Sequence, residues 1–107
     1  MSPRSILSIR NCDVERVLIG RPTSHKHLRV ILFLKDGNII ILHEATIANI
    51  VRAFVTIKTH PIIEAIELRG TYLRQRKAGY AEYQLLETNR SYKDISEEID
   101  NIITGHE

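Results

Sequence analysis

Residues 24–37, SHKHLRVILFLKDG, followed by NIIIL at 38–42, decide the fold of this chain. Two conformations compete for the first stretch. Leu28, Ile31, Leu32 and Leu34 allow a helix that stops at Gly37. Against that, Arg29 to Leu34 is rich in β-branched and aromatic residues, and Asp36-Gly37 is a strong hairpin signal. Local pattern does not arbitrate between the two. Asn38 to Leu42 reads as a buried strand in either case.

Upstream, Val14 to Gly20 (VERVLIG) reads as a strand that ends at the turn Gly20-Arg21-Pro22. A short earlier strand is expected around Ile6 to Ile9. Downstream, Ile47, Ile50, Val51, Phe54 and Ile57 follow helical spacing and predict a helix over about Ala45 to Lys58 with one apolar face. Thr46 is the expected N-cap, and Pro61 lies just past the end. Residues 62–69 (IIEAIELR) are expected as a strand. Tyr80 to Leu86 alternates clearly, with Ala81, Tyr83 and Leu85 on one side and Glu82 and Gln84 on the other. Ser91-Tyr92-Lys93-Asp94 matches a capping box that opens a terminal helix. Ile95, Ile99, Ile102 and Ile103 form the apolar side of that helix, and Gly105 can end it.

These elements predict one α/β (α+β) domain over residues 1–107, with a core at 1–88 and an acidic amphipathic helix at 89–107. A chain of 107 residues that is 43% apolar can bury a small core, and chains of this size often gain stability by pairing. The single cysteine, Cys12, permits no disulfide within the chain. Met1-Ser2-Pro3-Arg4 does not open a signal peptide, so a cytoplasmic location is expected. Seventeen isoleucines, one methionine and no tryptophan are compatible with a thermophilic source, or with an AT-rich genome.

The net charge of +2 is unevenly spread. Residues 1–35 and 69–87 are basic, while 36–68 and 88–107 are acidic, which suggests a basic face and an acidic tail. The most informative cluster is Arg69, Arg74, Arg76 and Lys77, with no acid between Gly70 and Gly79. A two-stranded arm tipped with guanidinium groups can enter a groove and meet phosphates on both sides. Tyr72 and Tyr80 are candidates to stack on a base. Arg4, Arg10, Arg16, Arg21, Lys26 and Arg29 supply a second basic zone. The expected nucleic-acid contacts are therefore Arg21, Lys26, Arg69, Arg74, Arg76 and Lys77, on double-stranded DNA or structured RNA.

Other candidates carry less. His25 and His27 form an HxH pair that would point to one side of a strand, but no third or fourth metal ligand shows at useful spacing. His43-Glu44 stands where a strand gives way to a helix, a place where a histidine can act as general acid or orient a phosphate. Cys12-Asp13 lacks a motif-linked histidine. No complete catalytic site is displayed, and no cofactor or metal is expected. The terminal helix is read as a cap on an apolar surface, with a dimer contact or the contact to a partner in a viral or cellular accessory protein as the alternatives.

From Val17 to about Leu86 the chain resembles the Alba family of archaeal chromatin and nucleic-acid-binding proteins. The residues that carry the resemblance are Ile19-Gly20-Arg21, the strand Ile39 to Leu42, the Ile47 to Val51 spacing, and Gly70-Thr71 followed by Arg74-Gln75-Arg76-Lys77. The resemblance implies a βαβαββ fold, with a helix at 24–35, and a homodimer that binds DNA and often RNA without sequence preference. Arg21 would then stand at the family's basic first loop. More locally, Leu42-His43-Glu44-Ala45-Thr46-Ile47 resembles the His-acid-x-Thr-Ile stretch of small viral ring nucleases of archaea. That likeness implies cleavage of cyclic oligoadenylate with His43.

Overall fold

The computed structural model describes residues 5–74 and 82–106. It is a mixed α+β chain, as the sequence predicts. After a short 3-10 turn, Asn11–Asp13, come β1 (Val14–Gly20), β2 (Arg29–Leu34), β3 (Ile39–His43), α1 (Glu44–Thr59), β4 (Leu68–Tyr72), β5 (Tyr83–Glu87) and α2 (Tyr92–His106). The chain divides into two compact units, residues 1–47 and 48–107. Among the described residues no helix is long and apolar enough to cross a membrane.

The first unit holds an antiparallel sheet in the order β1-β2-β3. The ambiguous stretch is thus a strand, and the helix that the Alba resemblance implies at 24–35 is absent. The βαβαββ order is corrected to βββαββα. The reason lies in the turn. Gly37 adopts φ +95°, and Leu34 N–H donates to the Asn38 carbonyl at 2.9 Å, which closes the β2–β3 hairpin. The Asp36 carboxylate accepts from Asn38 N–H at 2.9 Å and from the Asn38 side chain at 3.1 Å. With β1 and β3 on its two edges, β2 has its backbone groups paired on both sides, which suits a strand that is apolar on both faces.

Register orders the side chains into rungs. Leu18, Ile31 and Ile41 align on one face, followed on that face by Gly20, Arg29 and His43. On the same face the Arg16 guanidinium sits 4.1 Å from the centre of the Phe33 ring. A bulge at Glu15 interrupts the first rung of β1. The 3-10 turn is tied down by Asp13. Its carboxylate accepts from Arg10 N–H at 2.9 Å, and its carbonyl accepts from Lys35 N–H at 2.9 Å. The Arg10 bonds hold the Asp13 carboxyl below its ordinary range. Ile6 to Ile9, expected as a strand, belongs to no sheet. Among the described residues of this unit, Leu34 is the buried one.

Helix α1 begins at Glu44, two residues before the expected cap Thr46, because Glu44 itself fastens the helix start to the loop before β2. At the other end His60 Nδ1 accepts from Ile62 N–H and Ile63 N–H, both at 3.2 Å, and turns the chain past Pro61. In the second unit β4 pairs antiparallel with β5. The strand expected over 62–69 forms only from Leu68, opposite the last residue of the five-residue β5, with the Glu67 carbonyl accepting from Thr88 N–H at 3.0 Å just beyond it. Among the described residues of this second unit, Ala65 and Ile95 are buried. Helix α2 opens as expected, with Ser91 Oγ accepting from Asp94 N–H at 3.1 Å. Its Ile99, Ile102 and Ile103 remain about half exposed.

Candidate nucleic-acid interface

The basic arm stands on the β4–β5 ribbon. Register runs from Leu68 opposite Glu87 to Tyr72 opposite Tyr83, and Leu73 N–H donates to the Glu82 carbonyl at 2.8 Å beyond the last rung. The hairpin expected around Arg74 is therefore present, and Arg74 is exposed at its end. Arg76 and Lys77, along with Tyr80, lie outside the described residues. Strand alternation places Arg69 with Thr71 on the face opposite Tyr72, so Arg69 does not share the tyrosine face.

Tyr83 is the residue that sequence reasoning missed here. Its ring lies 5.4 Å from that of Tyr72, at an interplanar angle of 59°. The signal was within reach, since Tyr83 sits in the clearest alternating strand. Only the pairing register, however, shows which tyrosine faces Tyr72. On the same face Gly70 lies opposite Leu85, and a Cβ at position 70 would meet only a Leu85 methyl at 3.9 Å. The surface beside the two rings is therefore low.

A polar clamp holds the base of the ribbon. Glu67 accepts from Thr88 Oγ1 at 2.9 Å and from Arg90 at 2.8 Å, while Arg90 also reaches Glu98 on α2 at 2.7 Å. The Thr88 hydroxyl, then Arg90, pulls the Glu67 carboxyl below its ordinary range. Glu98 and Glu67 together raise the Arg90 guanidinium. The clamp joins the entry to β4, the exit from β5 and the first turns of α2, so the ribbon is set on a fixed footing.

The first unit gathers a second set of charges. Arg29 and His43 are cross-strand partners at the end of the sheet. With Arg21 they rim a concavity of about 520 Å³ floored by Leu18, Ile31 and Ile41. Gly20 occupies the third position of the Arg29–His43 rung and leaves it without a side chain. One Arg29 nitrogen donates to the Leu28 carbonyl at 3.1 Å and to the His27 carbonyl at 3.5 Å, which orients the guanidinium. The neighbouring carboxylate is engaged elsewhere. Glu44 accepts from Leu28 N–H at 3.0 Å and pairs with His27 Nδ1 at 2.9 Å. Those two bonds, with the nearby charge of Arg21, hold its carboxyl below the ordinary range. His27 thus turns to Glu44 instead of pairing with His25 across a strand face. Lys26 is exposed in the same loop. The structure brings Arg21 together with Arg29 and His43 in this unit; in the other, Arg74 is exposed two residues past Tyr72.

Comparison with protein-family models, with characterised proteins and with solved structures finds no match to this chain.

Proposed function

We propose that the chain is a sequence-nonspecific nucleic-acid-binding protein, acting as a homodimer, whose arm is the β4–β5 hairpin. The observation that carries this reading is the hairpin itself. An antiparallel ribbon closes on a connection that contains Arg74, Arg76 and Lys77 and, up to Gly79, no acid. Guanidinium and ammonium groups placed this way neutralise phosphates with no need to read bases. Because the element order departs from that of Alba proteins, the reading rests on the charge and geometry of the hairpin. The dimer is supported by two observations: among the described residues only Leu34, Ala65 and Ile95 are buried apolar residues, and the isoleucines of α2 are half exposed.

Titration of labelled oligonucleotides at increasing salt tests the reading. With about six phosphate contacts from two arms, the logarithm of the duplex binding constant falls with a slope of about −5 against the logarithm of salt concentration. Replacing Arg74, Arg76 and Lys77 together by Ala removes most of that slope. Binding that ignores salt, or the absence of any binding at low salt, rules the reading out.

One observation favours a second reading. His43 and Arg29 share the rim of a concavity large enough for a nucleotide. A histidine beside a fixed guanidinium suits proton transfer to a phosphodiester oxygen. Incubation with cyclic oligoadenylates and resolution of the products tests it, and unchanged substrate ends it.

A further inference from the structure

We infer that the hairpin selects single-stranded over duplex nucleic acid, with Tyr72 and Tyr83 forming a base-stacking platform at the root of the basic arm. This deepens the nucleic-acid reading and rests on it. The two rings are cross-strand partners on one face of the ribbon, 51% and 66% exposed although they touch each other. Tilted by 59° and more than half exposed, the pair leaves aromatic surface accessible to a ligand.

The surroundings suit an unpaired base. Gly70 leaves the surface beside Tyr72 without a side chain, and the Leu85 methyl groups next to it supply an apolar floor. Arg74 follows Tyr72 by two residues and is exposed, so a phosphate next to a stacked base falls within reach of a positive charge. Bases of a duplex are already stacked on one another and present only their edges in the grooves. A tyrosine platform gains nothing from them unless the helix is opened. Every unpaired base offers a π-face, so the platform is tolerant of sequence, in keeping with a nonspecific binder.

The test compares short oligo(U), oligo(dT) and a duplex of equal length by fluorescence anisotropy, on the full-length protein at one fixed salt concentration. The expected result is about ten-fold tighter binding of either single strand than of the duplex. Tyr83→Leu keeps an apolar side chain and loses that preference, while its salt dependence stays that of the parent. Tyr83→Phe keeps the ring and retains the preference, which separates stacking from a folding defect. The chain has four tyrosines and no tryptophan, so quenching of tyrosine emission on adding oligo(U) gives an independent readout on the unmodified protein. Equal affinity for duplex and single strand, or a Tyr83→Leu variant as selective as the parent, overturns the platform and leaves the basic arm standing. Loss of all binding at low salt in the parent overturns both.

Discussion

Replacing Gly37 by Ala tests the turn on which the fold depends. Gly37 sits at φ +95°, a conformation that costs an L-residue about 1–2 kcal/mol. A Cβ built there meets nothing within 4 Å, so the whole penalty is backbone and none is packing. Against it stands the reduced entropy of the unfolded chain, which returns about 0.4–1 kcal/mol on a Gly→Ala change. The expected net loss is about 1 kcal/mol. For a unit of this size that lowers the midpoint of thermal unfolding by roughly 4–8 °C. Far-UV circular dichroism melts of the parent, Gly37→Ala and Gly37→Asn measure it. Asn tolerates the left-handed region, so its loss is the smaller of the two. Gly20→Ala is the matched control, because an added Cβ there also meets nothing within 4 Å and the backbone is ordinary strand. A Gly37→Ala melt at or above that of the parent would refute the claim that this turn holds β2 in a hairpin.

Glu44 supplies a pH prediction. Its carboxyl is held below the ordinary glutamate value of 4.5, so its stabilisation is complete above that value and is lost as pH falls through the lower folded-state value. Glu44→Gln is therefore expected to lower the urea midpoint at neutral pH and to leave less acid sensitivity below pH 4.5 than the parent shows. In α2, Ile95→Ala empties a buried position and costs about 2–5 kcal/mol, whereas Ile99→Ala, at a half-exposed position, costs well under that in the isolated chain. If α2 forms the contact between two copies, Ile99→Ala instead weakens self-association, read by sedimentation at falling protein concentration. Deleting residues 91–107 leaves Arg90 without Glu98, so loss of stability without a change in oligomer size would mark α2 as a cap and not a partner helix.

The sequence alone determined several elements whose signal is local, although the strands read at Ile6 to Ile9 and over 62–67 did not form. Val14–Gly20 matched its strand, α1 and α2 followed from their apolar spacing, and Ser91 capped α2 as its sequence implies. The β4–β5 pairing was legible in part for the same reason, since Tyr80 to Leu86 alternates in the sequence. What remained open depended on partners distant in the chain. Leu28 to Leu34 satisfies helical and strand spacing alike, and it became a strand because β1 and β3 stand on both its edges to take its backbone hydrogen bonds. Glu44 displaced Thr46 from the helix start because its carboxylate found Leu28 N–H and His27, sixteen and seventeen residues back. Tyr83 met Tyr72 because pairing register fixes which rings touch. A shift of a single residue would have turned the ring to the other face. Arg29 entered the rim with His43 for that reason too, as a cross-strand neighbour fourteen residues away. Local propensity places residues along an element, but hydrogen-bond register between elements decides which side chains meet, and both candidate sites of this protein are built from register.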